Sequence, residues 1–247
     1  MATSKLRLDE LLVARSLADD LRTAQALVLA GQVVVGERRA DKPGEQVRPD
    51  VAVRLKDQPG PYVSRGGLKL AAALDGLNVD VRGLSCADVG ASTGGFSDCL
   101  LQRGAARVVA IDVGYGLLHD KLRRDPRVTV RERTHARELT AAGLPFAIEL
   151  LVADLSFIGL QPLLPVLLGV VAAGGRLVLM VKPQFEAARS EVPTGGVIAD
   201  SELAARIVER VALAARAHGA HVLGTAAAGV AGPAGNREVF LALRTPQ

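Results

Sequence analysis

The sequence contains few aromatic rings and little sulfur. Its 247 residues include no tryptophan, two tyrosines, five phenylalanines and two cysteines. With so few rings the core must be aliphatic, and the wealth of small and branched apolar residues favours helices packed on a largely buried sheet. Cys86 and Cys99 lack the spacing of a metal site or a disulfide framework, so we expect buried thiols in a reducing cytosol and no bound metal.

Long apolar runs are also missing. No stretch reaches the roughly 18 uninterrupted apolar residues expected of a membrane span. Residues 1–30 contain no apolar run with the flanks of a signal peptide. We therefore expect a cytoplasmic, soluble protein that has no membrane partner.

The length of the chain favours one small and one medium-sized domain. In the N-terminal part, leucines at helical spacing and β-branched runs predict two helices, over residues 6–17 and 23–30, and two strands, at Gln32–Gly36 and Val51–Leu55. The basic stretch RRADKPG between the strands is expected to be a loop. Turn residues in DQPGP end this part, so we predict a small α+β domain over 1–57, a linker over 58–63 and a second domain over 64–247.

The remainder of the chain alternates between strand-like and helix-like segments. We predict helices at Gly66–Leu77 and 200–218, and strands near 86–89, 107–111, 127–131, 147–153, 175–181, 220–226 and 238–243. Such alternation implies an α/β fold whose mainly parallel sheet is joined by right-handed crossovers, which is the Rossmann-like arrangement.

A glycine-rich turn, GASTGGF over residues 90–96, follows the first strand of this second domain. Glycine lets a backbone approach a ligand closely, and the following helix offers free N–H groups. The next strand ends in Asp112, whose carboxylate can accept hydrogen bonds from both ribose hydroxyls of a nucleoside. The GxxxGG spacing argues against the GxGxxG turn of a dinucleotide site, although a tight turn without a ligand also needs glycine.

Four further polar residues stand at or near the ends of predicted elements: Lys69, Asp154, Lys182 and Glu238. Each faces the crevice where α/β enzymes bind their substrates. For any one of them alone, a solvated loop side chain is the simpler interpretation. Taken together, they favour a catalytic group.

Six segments in order give the chain a recognisable pattern: YVSRGGLKL (62–70), GASTGGF (90–96), DVGYG (112–116), ADLSFIGL (153–160), VKPQFE (181–186) and GPAGNREVF (232–240). Together they resemble the TlyA family, labelled hemolysins and described as ribosomal RNA 2′-O-methyltransferases. The resemblance covers nearly the whole chain. It implies an alpha-L RNA-binding domain at the N-terminus and an FtsJ-like methyltransferase sheet that is mostly parallel with an antiparallel last strand.

The resemblance also implies a catalytic tetrad of Lys69, Asp154, Lys182 and Glu238, and S-adenosylmethionine as the cofactor. The residues implied to bind it are Gly90, Ala91, Ser92, Thr93, Gly94, Gly95, Phe96, Asp112, Val113, His135 and Asp154. A ribose 2′-hydroxyl is a poor nucleophile that must lose its proton as it attacks a methyl group. We assign the proton to Lys182, the holding of the lysines to the two acids, and the fixing of ribose or phosphate to Lys69.

Ribosomal RNA or a ribosomal subunit is the implied partner, and we expect a monomer. RNA contacts are predicted at Arg22, Arg38, Arg39, Lys42, Arg65 and Arg133. Residues 1–60 carry ten basic and nine acidic side chains, a net charge of only +1, whereas residues 121–137 carry seven and two, a net charge of +5. We therefore expect RNA contact by the first domain to be local.

Four positions depart from the family pattern. Asp20 and Leu21 stand where Ser-Arg is usual, which leaves Arg22 one place out of register. His135 replaces an asparagine and either takes over its hydrogen bond or points to solvent. Gly159 replaces a common serine, and we expect it to change the start of a helix and little else.

The family's substrate class predicts cytidines in 23S rRNA, with 16S rRNA as a second candidate. A membrane-active cytolysin, as the hemolysin label suggests, would need a secretion signal and an insertion segment, and we find neither. A non-catalytic RNA-binding protein would have no need of all four polar positions. An NAD enzyme is disfavoured by the GxxxGG turn.

Overall fold

The structure is a computed structural model that describes residues 5–15, 17–18, 20–29, 31–36, 38–55, 61–193, 195–229 and 236–247. The chain divides into two compact units, Met1–Gly60 and Pro61–Gln247. Residues 58–60 of the expected linker lie outside the described residues.

The N-terminal unit is a small α+β structure. Its elements are β1 (Leu6–Arg7), α1 (Leu8–Ala14), α2 (Leu21–Leu29), β2 (Val33–Val35), β3 (Arg38–Arg39), β4 (Gln46–Val47) and β5 (Val53–Leu55). Strand β2 pairs antiparallel with β3 and β5, and β1 pairs antiparallel with β4. An aliphatic cluster that includes Leu8, Leu12 and Val28 forms its core.

The expected helix over residues 6–17 was wrong at its start. Leu6 and Arg7 are extended because they pair with Val47 and Gln46, about forty residues further on, which leucine spacing cannot reveal. Helix α2 begins at Leu21, earlier than expected, because the Asp20 carboxylate accepts a hydrogen bond from the Thr23 N–H at 2.7 Å and caps the helix. The stretch expected as a loop contains the short strand β3, whose partner is β2.

The second unit is the predicted Rossmann-like α/β structure. Its helices are α3 (Gly66–Gly76), α4 (Gly95–Gln102), α5 (Asp120–Arg123), α6 (Leu164–Gly169), α7 (Pro183–Glu186) and α8 (Ser201–Ala217). Its strands are β6 (Ser85–Val89), β7 (Arg107–Ile111), β8 (Val128–Arg131), β9 (Ile148–Ala153), β10 (Val171–Val181), β11 (His221–Ala227) and β12 (Val239–Arg244).

The seven strands run in the order β11-β12-β10-β9-β6-β7-β8. Neighbours from β10 to β8 are parallel, and β12 is antiparallel to both of its neighbours, which confirms the expected sheet. The chain moves outward from β6 to β8 and then restarts at β9 on the other side of β6. The crevice beyond the carboxyl ends of β6 and β9 is therefore the place where this architecture binds ligands.

Both faces of the sheet are covered by aliphatic side chains. Leu151 and Leu179 belong to the cluster on one face, and Leu150 and Val178 to the cluster on the other. Cys86 and Cys99 are buried free thiols, as expected. In the described part of the chain, no helix combines the length and the apolar character needed to cross a membrane.

Candidate active site

Gly90 brings the end of β6 against the loop that follows β9. Its backbone is left-handed, with φ of 85°, and a Cβ atom at this position would lie 2.4 Å from the backbone oxygen of Asp154. The Asp154 N–H donates to the Val89 carbonyl at 3.1 Å. Only glycine satisfies both the dihedral and the close approach, so this residue sets the position of Asp154.

Gly94 and Gly95 turn the chain into α4 in different ways. Gly94 is left-handed, and a Cβ there would meet the side chains of Leu122 and Leu118 at 2.2 and 2.8 Å. A Cβ at Gly95 would lie 2.2 Å from the Ser64 hydroxyl oxygen. Gly94 therefore serves the turn and its packing, whereas Gly95 allows residues before α3 to approach the start of α4.

Asp112 organises the backbone at the end of β7. Its two carboxylate oxygens accept hydrogen bonds from the Ser92 and Gly114 N–H groups, each at 2.7 Å. Since each carboxylate oxygen can accept more than one hydrogen bond, both keep capacity for ribose hydroxyls.

Two cavities lie at the carboxyl edge of the sheet. One, of about 420 Å³, is lined by Ser64, Arg65, Gly66, Lys69, Gly90, Ala91, Ser92, Thr93, Gly95, Phe96 and Asp154. The other, of about 300 Å³, is lined by Val89, Gly90, Ser92, Ile111, Asp112, Val113, Leu117, Thr134, His135, Ala136, Asp154, Leu155, Ser156, Phe157 and Ile158. Gly90, Ser92 and Asp154 line both, so the two cavities adjoin around Asp154.

The smaller cavity fits the nucleoside end of S-adenosylmethionine. Val113, Leu117 and Ile158 supply apolar walls for a base, and Asp112 supplies a carboxylate for a ribose. The expected cofactor residues line the two adjoining cavities, except Gly94, which lines neither.

His135 lies on the wall of the smaller cavity. Its Nδ1 accepts a hydrogen bond from the Arg137 N–H at 3.1 Å and caps the short 3-10 helix at Ala136–Glu138. One ring nitrogen of His135 thus holds a backbone turn. The side chain also forms part of the cavity wall. His135 is thus half-buried in the cavity wall, and its role toward a ligand stays a prediction.

The four expected catalytic residues form two ion pairs. Lys69 Nζ lies 2.5 Å from Glu238 Oε2, and these side chains are 11% and 3% exposed. Lys182 Nζ lies 2.5 Å from Asp154 Oδ1, with side-chain exposures of 10% and 27%. Lys182 also donates a hydrogen bond to the Ser156 hydroxyl at 3.0 Å. Each of these two largely buried lysine side chains thus has a carboxylate partner. A charge that is removed from water needs such a partner, because an unpaired buried charge is strongly destabilising.

The loop after Asp154 runs beside the turn after Lys182. The rings of Phe157 and Phe185 lie 5.6 Å apart between centroids. Further on, the Glu186 carboxylate accepts hydrogen bonds from the Leu160 N–H at 2.5 Å and the Gln161 side-chain amide at 3.5 Å. Burial raises the pKa of Glu186. Three successive contacts therefore join the segments that carry Asp154 and Lys182.

Gly159 lies beside this junction. A Cβ at this position would be 3.0 Å from both Glu186 Oε2 and the Phe185 carbonyl oxygen. The helical segment that follows begins at Gln161 with Leu160 as its cap. Glycine at this position, where the family commonly has serine, thus leaves room for the Glu186 carboxylate to come close.

The basic residues expected to contact RNA differ in their surroundings and in whether they form ion pairs. Arg65 lines the larger cavity, and the Arg133 guanidinium lies 4.4 Å from the centre of the exposed Tyr115 ring. Arg22, Arg39 and Lys42 are exposed on the N-terminal unit. Arg38, also exposed, is paired with Glu45.

The local charge of residues 121–137 is partly neutralised in the fold. Lys121 pairs with Asp98 at 3.0 Å, Arg127 with Asp125 at 2.7 Å, and Arg123 with Glu132. Asp125 and Glu132 are already part of the net charge of +5, but Asp98 lies beyond the segment, so a net charge counted along the sequence overstates the field that these residues present. Arg133 and Arg137 remain exposed.

Asp88 is a buried acid that was not among the residues predicted from the sequence. It lies in β6, and one carboxylate oxygen accepts hydrogen bonds from the Ser97 N–H and hydroxyl at 2.9 and 2.7 Å. The other oxygen is buried without a hydrogen-bond partner. An acid inside an otherwise apolar strand was the available signal. Burial raises the pKa of Asp88 to about 7, and Asp154 and Asp112 act in the same direction.

Replacing Asp88 with asparagine should flatten the dependence of stability on pH. The folded state holds the Asp88 proton more tightly than the unfolded state does. The resulting stabilisation is complete below the ordinary pKa of 3.8 and is lost as the pH rises to about 7. The free energy of unfolding can be measured by chemical denaturation at about pH 5 and at about pH 8. From the lower to the higher pH it should fall more in the wild type than in Asp88→Asn.

Asp80→Asn is the control for this comparison. Arg82 lowers the pKa of the exposed Asp80 to about 2, so that carboxyl stays ionised across the same range. Its replacement should leave the slope unchanged. Equal slopes for wild type and Asp88→Asn would show that Asp88 does not carry the proton.

The sheet order, the glycine turn after β6 and the carboxylate at the end of β7 define a Rossmann-like methyltransferase. The FtsJ-like methyltransferase family matches residues 62–245, and the S4 domain family matches residues 6–53. The chain therefore belongs to the FtsJ-like methyltransferase family and carries an N-terminal S4 domain.

Individual relatives support this assignment. The chain is 46% identical to 16S/23S rRNA (cytidine-2′-O)-methyltransferase TlyA of Mycobacterium tuberculosis, over 98% of this chain and 90% of the relative. It is 35% identical to Hemolysin A of Brachyspira hyodysenteriae, over 82% and 85% of the two chains. A solved structure from Streptococcus thermophilus, whose description carries the word hemolysin, aligns with a TM-score of 0.76 at 37% identity, over 100% and 90%. These findings confirm the resemblance to the TlyA family.

Proposed function

We propose that this protein transfers a methyl group from S-adenosylmethionine to the ribose 2′-hydroxyl of cytidine in ribosomal RNA. The first proposed target is 23S rRNA, and 16S rRNA is the second. The observation that carries the proposal is the pair of buried lysine–carboxylate contacts, Lys182–Asp154 and Lys69–Glu238, in a cleft that also offers a nucleoside-sized cavity. The name of the Mycobacterium tuberculosis relative supports the choice of substrate.

Residues at the strand ends would hold the cofactor. Asp112 would accept hydrogen bonds from its ribose hydroxyls, and Val113 and His135 would flank its base. The close packing at Gly90 would keep the first turn near the ligand. When bound, the cofactor supplies an electrophilic methyl group on a positively charged sulfur.

Asp154 is placed to serve both halves of the reaction. It lines the cavity that fits the nucleoside and the larger cavity that contains Lys69. Its carboxylate holds the Lys182 amine, which in neutral form would accept the proton of the 2′-hydroxyl as the oxygen attacks. The pairing of Lys69 with Glu238 fixes a second cation beside the acceptor, where it would orient the ribose or an adjacent phosphate.

Basic side chains would bring the RNA to this cleft. Arg65 lies in the wall of the larger cavity and Arg133 is exposed on its stacked tyrosine, so both can meet phosphates close to the site. In the S4 unit, Arg22, Arg39 and Lys42 are the exposed cations we propose as contacts.

Methyl transfer from labelled S-adenosylmethionine to purified subunits tests the proposal. Subunits from cells without this modification should take up label, and mapping should place it on cytidine ribose 2′-oxygens, first in 23S rRNA. Naked rRNA and already modified subunits serve as controls. Absence of transfer to either subunit would refute the proposed function, and lysis of erythrocytes by the same protein would then support the cytolysin alternative.

A further inference from the structure

We infer that Ser156 is a positioning residue for Lys182, whose hydroxyl keeps the lysine amine in place in both of its protonation states. The inference rests on the proposed function, because it concerns how Lys182 acts as the base. It adds a fifth residue to the four that the family resemblance implies.

Within the described part of the chain, three groups lie close to the Lys182 amine. Asp154 Oδ1 lies 2.5 Å from Nζ, and the Ser156 hydroxyl oxygen lies 3.0 Å from it. The Phe185 ring is the third, with its centroid 5.9 Å from Nζ. The lysine side chain is only 10% exposed, so these contacts largely determine where the amine points.

Two of the three groups favour the charged amine. A carboxylate attracts a cation through its charge, and so does the face of an aromatic ring. A base, however, must begin the reaction as a neutral amine with its lone pair directed at the 2′-hydroxyl. Asp154 and Phe185 therefore stabilise the state that follows proton transfer better than the state that precedes it.

The Ser156 hydroxyl oxygen can accept a hydrogen bond from the amine in either state, because the neutral amine and the ammonium both carry N–H donors. During transfer, the 2′-hydroxyl proton passes to the Nζ lone pair while the ribose oxygen bonds to the methyl carbon and the carbon–sulfur bond breaks toward sulfur. The oxygen of Ser156 can stay bonded to an N–H of the amine throughout, which leaves the lone pair of the neutral amine free to face the 2′-hydroxyl. It thus limits the motion of the amine at the moment when the charge changes.

The position of Ser156 does not depend on packing of its own side chain. Ser156 is exposed, while the loop is anchored before it by the Asp154–Val89 backbone bond and after it by the Leu160–Glu186 bond. Loss of the hydroxyl therefore removes a contact to Lys182 without opening a cavity in the core.

The test compares Ser156→Ala with Ser156→Thr in the full chain. The single-turnover rate of methyl transfer should fall about tenfold or more in Ser156→Ala, as expected for loss of a hydrogen bond to a charged group. Affinity for S-adenosylmethionine, measured calorimetrically, should fall much less than the rate, because the hydroxyl that is lost bonds to Lys182, although Ser156 also lines the smaller cavity. Ser156→Thr keeps the hydroxyl and should return most of the rate. Ser201→Ala, at an exposed serine that begins α8, is the matched control and should match wild type.

The outcomes separate the inference from the proposed function. An active wild type with an equally active Ser156→Ala overturns the inference alone. Equal losses of rate in the alanine and threonine variants, accompanied by weaker cofactor binding, also overturn it, because they would assign Ser156 a role in loop structure. A wild type that methylates no ribosomal RNA refutes the proposed function, and the inference with it.

Discussion

Lys182→Ala should lose methyl transfer by roughly a thousandfold while its affinity for S-adenosylmethionine stays close to wild type. The loss is expected because the variant has no amine next to Asp154 to accept the 2′-hydroxyl proton. Binding should persist because Lys182 lines neither of the two cavities. The measurements are single-turnover transfer to unmodified ribosomal subunits and calorimetric titration with the cofactor.

Lys121→Ala is the matched control for this prediction. Lys121 also forms an ion pair with a buried carboxylate, that of Asp98 at 3.0 Å, yet it lies outside both cavities. It should transfer methyl groups at nearly the wild-type rate. A Lys182→Ala protein that keeps even a tenth of the wild-type rate would remove Lys182 from the role of base and leave Lys69 as the remaining lysine of the tetrad.

Gly90→Ala should weaken cofactor binding roughly a hundredfold and lower the transfer rate as well. Two costs combine at this position. An L-residue is strained at φ of 85°, and the new Cβ would lie 2.4 Å from the Asp154 carbonyl oxygen. Relief of that clash must move either the cofactor turn or the loop that carries Asp154, so both binding and chemistry are affected.

Gly83→Ala separates strain from contact. Gly83 has a similar φ of 75°, but a Cβ there would have nothing within 4 Å. Gly83→Ala should lower stability modestly, by about 1 kcal/mol, and leave both cofactor affinity and rate unchanged. If Gly90→Ala behaved like Gly83→Ala, the close approach to Asp154 would be irrelevant to function.

The candidate site was only partly predictable from the sequence. The motifs named Lys69, Asp154, Lys182 and Glu238, but the pairing of Lys69 with a residue 169 positions away depends on how β12 enters the sheet next to β10. No sequence pattern pointed to a role for Glu186, because that role is to accept a hydrogen bond from the Leu160 N–H in another segment.

The local net charge counted along the sequence is a poor guide to the charge that the folded surface presents. The count of +5 over residues 121–137 subtracted the two acids within the segment, but it missed Asp98, which forms an ion pair with Lys121 from outside the segment. Exposure and pairing depend on three-dimensional neighbours, so a local sum of charges predicts a solvated surface better than it predicts an RNA contact.

What the sequence determined by itself is the alternation of strands and helices, the aliphatic core and the glycine turn after β6. These features follow from side-chain periodicity and from dihedral angles that only glycine adopts easily, both of which act over a few residues. The tertiary structure alone decided the partners: Glu238 for Lys69, Ser156 for Lys182, Ser97 for Asp88, and β4 for Leu6 and Arg7. Such contacts join segments through folding of the chain, and no local pattern records which segments will meet.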